Sequence, residues 1–357
     1  MQMMSTVQAI CSVAPKHLPV CPPQLVASDY ERLGSATAYD KIHELEGAIA
    51  QTIGIEHVIL VNSGTAALHV IMAAMGIGPG DTVAVPALTF AGAAAAVCYT
   101  GAQPVFVDCR LDPLGSVNAF KLHQWLATVR PKPRALIAVD LLGHPGVDEE
   151  LVQTCLLHGV LLIEDAAAAL GTGRCGTWGE AAVLSFNHNK IVTMGGGGAV
   201  LTRDKVLAAK ARSLATTAKR TSLWHYEHTD VGFNYRPHNL GAAIALNQIK
   251  RLPELIRRKL DIHRRYSEVL FEGLGVQLVQ PRGKWNGWLS CMLIDPRHAY
   301  NAPILRDEIM AALYAEGRSS RALFMPLHLQ VPYATCGRQP DLGIAVDLWR
   351  RAICLPS

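Results

Sequence analysis

The chain has 357 residues, half of them hydrophobic and 17% charged, with a net charge of +4. This balance excludes an intrinsically disordered chain and a nucleic-acid binder held by bulk charge, and the length predicts about two domains. No run of about 18 apolar residues is present, so no membrane span is expected.

The chain opens on MQMMSTVQAICSVA, which is mildly apolar, but its first cation, Lys16, follows the apolar part. A secretion signal has the reverse order. The nine cysteines are odd in number and form no CxxC pair. That argues against a disulfide framework and a zinc ribbon, and predicts reduced thiols, a cytoplasmic protein and no metal site, with Cys11 and Cys21 the ambiguous pair.

From residue 57 strands and helices alternate. Residues 57–61 (HVILV) read as a strand and 64–76 as a helix closing on glycine. A strand follows at 81–86, a helix at 90–101 and a strand at 104–108. Residues 134–140 and 160–165 are further strands around a helix at 147–159, and 181–187 and 197–202 are two more. Short continuous apolar strands between helices predict a mostly parallel sheet covered on both faces. Ligands bind beyond the carboxyl ends of such strands, which singles out 62–65, 86–90, Asp108, Asp140, Asp165 and 187–190. A helix at 204–219 leads into an aromatic and histidine-rich connector. A long helical pattern then runs from about 239 to 273, with a possible break at Pro253. Seven basic residues on it (Lys250, Arg251, Arg257, Arg258, Lys259, Arg264 and Arg265) form either a solvated face or an anion-facing wall. A strand at 287–295, a helix at 304–316 and a strand ending at Phe324 complete the pattern. The expected division is an N-terminal segment (1–24), a large domain (25–250) and a small C-terminal α/β domain (251–357).

The segment LSFNHNKIVTMGGGGAVLT sets one lysine, Lys190, before four glycines, Gly195 to Gly198. A nucleotide P-loop places its lysine after the glycines and before a helix. A dinucleotide loop opens a helix. Here a strand follows, which excludes both. A glycine-rich turn beside an incidental lysine remains open, as does a lysine that bonds pyridoxal phosphate as a Schiff base, with glycines allowing close approach of backbone and cofactor. The second reading needs three further groups. Asp165, at the end of VLLIED, is the carboxylate for the ring nitrogen, while Glu164 points to the opposite face. Gly64, Thr65 and Ala66 offer amides at a helix N-terminus for the phosphate, with the Ser185 hydroxyl beside them. Phe90 follows a strand and can stack on the ring.

NSGTAALHV, PALTFAGAAAAVCYTGAQPVFVD, IEDAAAALG, the lysine segment and GFNYRPHNLGAAIALNQI together resemble the DegT/DnrJ/EryC1/StrS family of pyridoxal-phosphate nucleotide-sugar aminotransferases. The resemblance runs from about residue 35 to the C-terminus. SFNHNKIVT, TTAKRTSLWHYEH and the ending ICLPS are most similar to the branch acting on UDP-linked 4-keto-6-deoxy amino sugars, of the legionaminic acid and bacillosamine type. The resemblance implies an aspartate-aminotransferase-like fold and an amino transfer from glutamate to a keto-sugar nucleotide in polysaccharide or glycan biosynthesis. It assigns Lys190 and Asp165 to catalysis and Asn234 to the phosphate of a neighbouring subunit, hence a homodimer with shared sites. Arg321 and His328 are candidates for the substrate mouth. One departure stands out: where the family carries Gln, His or Glu, three residues after the aspartate, this chain has Ala168. Dehydration on the same cofactor, or a non-catalytic relative retaining the fold, are the alternatives, and retention of both Lys190 and Asp165 weighs against them.

Overall fold

The computed structural model describes residues 2–14, 16, 40–112, 114–220, 224–270, 272–298 and 300–357. Cys21, the 24/25 domain boundary, and residues 221–223 of the TTAKRTSLWHYEH segment and its connector lie outside them.

Twelve strands are defined among these residues: β1 (His57–Val61), β2 (Thr82–Pro86), β3 (Gln103–Val107), β4 (Ala135–Val139), β5 (Leu161–Asp165), β6 (Ala181–Ser185), β7 (Gly198–Thr202), β8 (Val276–Leu278), β9 (Cys291–Ile294), β10 (Arg321–Ala322), β11 (Gly337–Arg338) and β12 (Ala352–Cys354). The helices are α1 (Gln2–Val13), α2 (Asp40–Ile53), α3 (Gly64–Ala74), α4 (Gly92–Tyr99), α5 (Ala119–Thr128), α6 (Glu149–His158), α7 (Lys205–Ala215), α8 (Asn239–Lys250), α9 (Leu252–Val269), α10 (Ala302–Ala315) and α11 (Gly343–Arg351). The larger sheet has eight strands in the order β1-β7-β6-β5-β4-β2-β3-β11. Strand β7 runs antiparallel to both neighbours, and the other pairs are parallel.

Alternation along each central strand feeds two cores. On β4 and β5, Leu136 and Leu162 pack with Leu122, Leu126 and Leu151 of α5 and α6. Their neighbours Ile137 and Ile163 face the opposite core with Leu68 and Ile71 of α3. Each such fully buried aliphatic chain contributes about 1.5–3 kcal/mol, and trimming one to alanine costs about 2–5 kcal/mol. The same period of two places Asp165 on the face of Ile163 and Glu164 on the face of Leu162. Helix α6 begins where Asp148 accepts from the Leu151 N–H and ends on Gly159 in the left-handed conformation, the cap chemistry that fixes where a chain turns back to a strand.

A second, antiparallel sheet, ordered β10-β12-β9-β8, lies in the C-terminal part. Its core joins Met292 and Ile353 to Tyr266 of α9 and to Ile309 and Leu313 of α10. Helix α1 packs into the same core through Val7 and Ile10, and Arg318 donates to the carbonyls of Cys11 and Ala14 at its end. The N-terminal helix therefore sits with the small sheet. In the other direction, β11 returns to the edge of the large sheet, where Gln339 donates to Phe106 O (2.8 Å) and accepts from Asp108 N–H. The long helical pattern is broken at Arg251, with Pro253 in the first turn of α9, where its missing N–H costs nothing. Part of its basic face pairs locally, Arg251 and Arg258 with Glu254 and Arg264 with Glu268. Lys250, Arg257, Arg258, Arg264 and Arg265 are exposed, as in a solvated face, whereas Lys259 is buried and donates to the Ser357 carbonyl.

Candidate active site

A cavity of about 490 Å³ opens at the carboxyl ends of the central strands. Asn62 to Thr65 follow β1, Thr89 and Phe90 follow β2, and Asp140 to Leu142 follow β4. Asp165 ends β5, Ser185 ends β6, and Asn187, Asn189 and Lys190 come next. The small-sheet side contributes Trp288, Arg321 and Phe324. Residues more than a hundred positions apart thus converge on one lysine.

Helix α3 opens this site. Ser63 is its cap, with an extended backbone and a side chain that accepts from Ala66 N–H at 3.0 Å. The Ala66 amide is directed to the cap, and Ala66 is buried outside the cavity lining. Gly64 and Thr65 line the cavity at the positive end of the helix, the end that attracts anions. A Cβ at Gly64 would stand 3.2 Å from the Ser185 Cβ, so the glycine brings that amide and the Ser185 hydroxyl onto one spot. The four-glycine run packs behind it. A Cβ at Gly198 would strike the Ser63 carbonyl and come within 2.6 Å of Gly64 N. Gly196 and Gly197 line the cavity itself.

Asp165 is buried, and its carboxyl accepts from Ala167 N–H at 3.1 Å. Burial pushes its pKa above the ordinary carboxylate range, while that N–H and the charge of Lys190 pull it down. A carboxyl held this way is ionised most readily by a cationic partner at the cavity floor, which suits a protonated ring nitrogen. On the opposite face Glu164 accepts from Gly176 and Trp178 N–H groups, and Asp140 accepts from Gly146 N–H at 2.7 Å. Together with Cys175 their donor atoms lie within 4.8 Å of one another. Burial, reinforced by Glu164, drives the Asp140 carboxyl well above the carboxylate range, and burial raises Glu164 as well.

Lys190 sits 3.8 Å over the centre of the Trp288 ring. Phe90 lies at the mouth, largely exposed, and tilts against Phe324, whose ring also carries the Arg321 guanidinium at 4.7 Å. Thus Gly64, Thr65, Phe90, Asp165, Ser185, Lys190 and Arg321 share one cavity, and Ala168 lines it too. His328 does not: it lines a separate groove with Arg338 and Arg350. Asn234 is exposed and lies outside the lining. Asp108, another strand-end acid, is taken up by Lys121 and Ala345 N–H. Trp288, Leu141, Leu142 and Phe324 are lining residues that the sequence did not single out. Leu142 holds a left-handed backbone (φ 55°), uncommon for a leucine and itself a marker of a functional turn.

An α/β sheet with a buried acid, a lysine and a helix N-terminus at its strand ends fits a pyridoxal-phosphate-dependent transferase. Residues 25–357 match the DegT/DnrJ/EryC1/StrS aminotransferase family, and the chain belongs to it. It is a sugar aminotransferase that uses pyridoxal phosphate. The chain is similar to GDP-perosamine synthase of Caulobacter vibrioides, 37% identical over 321 residues (88% of this chain, 84% of that one). It is 31% identical over 350 residues to dTDP-4-dehydro-2,3,6-trideoxy-D-glucose 4-aminotransferase of Saccharopolyspora spinosa, covering 93% of this chain and 87% of the relative. Among solved structures it resembles DesI in the presence of its TDP-sugar product, with a TM-score of 0.86 and 30% identity over 99% of this chain and 92% of that one. Among the described residues no helix is long and apolar enough to cross a membrane, and the eight described cysteines are free.

Proposed function

We propose that the protein transfers an amino group from glutamate to the C4 ketone of a nucleotide-linked 6-deoxy sugar, in the making of a polysaccharide or glycan. The convergence of Lys190, Asp165 and the start of α3 in one cavity carries this reading. The sequence resemblance favours UDP as the carrier, whereas the relatives named above act on GDP- and dTDP-linked sugars.

The cofactor, when bound, supplies an electron sink for the carbanion formed at the reacting carbon. Asp165 would hold the proton on its ring nitrogen. Lys190 would hold the cofactor and, with its amine free, would carry the proton as general base and acid. Gly64 and Thr65 amides with the Ser185 hydroxyl hold the phosphate, while the Ala66 N–H keeps the helix capped on Ser63. Phe90 covers the ring from the mouth, and Arg321 offers a cation to the donor carboxylate or the sugar diphosphate. Asn234 serves the site of a second copy. Its exposure, and that of Trp224 and Val231 (84% and 85%) on the same connector, fits a face covered by a partner in a homodimer.

The test is spectroscopic. The protein with pyridoxal phosphate should show a visible band that Lys190→Ala abolishes. Glutamate should bleach it, and one member of a panel of UDP-, GDP- and dTDP-linked 4-keto-6-deoxy sugars should restore it, leaving nitrogen on the sugar. A protein that never colours sinks the enzyme reading. Bleaching with recovery but a nitrogen-free product favours dehydration instead.

A further inference from the structure

Trp285, Asn286, Gly287 and Trp288 lie just before β9, far in sequence from the strand-end turns, yet they reach three of them. The Trp285 indole N–H donates to the Leu142 carbonyl after β4 (3.0 Å). The Asn286 amide donates to the carbonyls of Ala168 (2.8 Å) and Leu170 (3.1 Å) after β5. The Trp288 indole N–H donates to the Asn189 carbonyl after β6 (2.7 Å), the residue that precedes Lys190. Inside the segment, Asn286 Oδ1 accepts from Trp288 N–H at 3.0 Å. His144 stacks flat on Trp285, with centroids 4.9 Å apart and planes 12° from parallel. Gly143 and Gly287 are the residues that make room: a Cβ at Gly143 would strike Asn286 Oδ1, and Gly287 holds φ +72° with Lys259 pressed behind it. All three turns border the cavity, and Trp288 is 4% exposed with its face toward the lysine amine.

We infer that Trp288 is a positioning residue for Lys190, holding the preceding carbonyl through its N–H and giving the detached side chain a seat on its ring face. An indole face attracts a cation and not a neutral amine. The seat therefore favours the protonated lysine whenever the nitrogen is not bonded to cofactor, and keeps it in the cavity over the Trp288 ring. This rests on the proposed role of Lys190, but the test needs neither cofactor turnover nor substrate.

The cofactor-free protein is exposed to an amine-acylating reagent over a pH series, and labelling of Lys190 is followed by peptide mass spectrometry. Surface Lys210 is the internal control. In Trp288→Leu the midpoint of the Lys190 profile should fall by roughly 0.5–1 pH unit, making labelling below the midpoint about 3- to 10-fold faster. Trp288→Phe keeps a face but loses the N–H, and should stay within about 2-fold of the wild type at the same pH. A better-exposed lysine alone would raise the rate at every pH without moving the midpoint. If folded Trp288→Leu keeps the wild-type midpoint, or if Leu and Phe variants shift alike, the seat does not exist. Should Trp288→Leu fail to fold, fluorotryptophan in place of all six tryptophans keeps the shape and weakens the face. An unmoved Lys190 midpoint there overturns the proposal, and a fall supports it. Failure of the sugar-substrate reading would show only in the glutamate and sugar-panel assay, so the two outcomes are separable.

Discussion

Gly198→Ala tests whether the glycines beside the lysine serve the cofactor cradle. The added methyl would meet the Ser63 carbonyl and stand 2.6 Å from Gly64 N. Both are backbone atoms of the α3 start, and no rotamer change relieves the clash. Overpacking of this kind costs about 1–3 kcal/mol, and the upper end is expected because the obstacle is rigid. The strand or the helix start must then move, and with the latter the Gly64 and Thr65 amides. The expectation is a fall in stability of about 3 kcal/mol and at least a tenfold loss in pyridoxal phosphate affinity, equivalent to about 1.4 kcal/mol. The comparison is Gly196→Ala in the same run, where the nearest atom would be Asn62 O at 3.9 Å and φ is unremarkable. It should stay within about 0.5 kcal/mol of the wild type. Urea unfolding of the cofactor-free protein and an absorbance titration with pyridoxal phosphate give both numbers. Equal stability of the Gly198 and Gly196 variants, with equal cofactor affinity, would refute the close-approach account.

Three further outcomes are expected. Asp165→Asn keeps the acceptor for Ala167 N–H but carries no charge, so the cofactor-free protein should be as stable as the wild type or more so, while turnover falls by about 10²-fold or more; parallel urea and glutamate half-reaction measurements check this. For Asp140, whose pKa in the fold lies well above its unfolded value, the unfolded chain releases its proton first as pH rises. Wild-type stability should therefore decline from the ordinary carboxylate range upward until the folded pKa is passed, and Asp140→Asn, which keeps an acceptor for Gly146 N–H, should flatten that slope in unfolding curves at pH 5, 6.5 and 8. For the second-copy role of Asn234, mixing inactive Lys190→Ala and Asn234→Ala proteins should restore up to about one quarter of wild-type activity, since half the molecules are hybrids with one intact site of two; mixtures with no recovery would place Asn234 outside a shared site.

Much of the large sheet was legible because its strands are short apolar runs closed by turn residues, and the strand ends then named most of the cavity. Asp165 and Glu164 were separable by period alone. What escaped has identifiable causes. Helix α5 was passed over although predicted strands stand on both sides of it, α2 and α11 lie towards the ends of the chain with a predicted strand on one side at most, and β11 and β12 are two or three residues long, below what periodicity can mark. The phosphate cradle was read as three successive amides; the Ser63 cap contact to one of them, Ala66, depends on a side-chain rotamer that the motif does not specify. His328 follows Arg321 closely in sequence, yet it lines another groove.

Ala168 shows most clearly what a residue type can and cannot say. The missing Gln, His or Glu suggested a weakened site, because a side-chain hydrogen bond near the cofactor is lost. In the fold, the part of residue 168 that is held is its carbonyl, fixed by Asn286, and every amino acid supplies that group. That anchor of the turn after β5 does not depend on the side chain at 168, which lines the cavity. Support for the lysine comes instead from Trp288, ninety-eight positions downstream of Lys190, through a ring face and an N–H that only packing brings there. A departure from a motif thus alters chemistry at one contact, while the backbone that aims the remaining groups is secured by residues the motif never included.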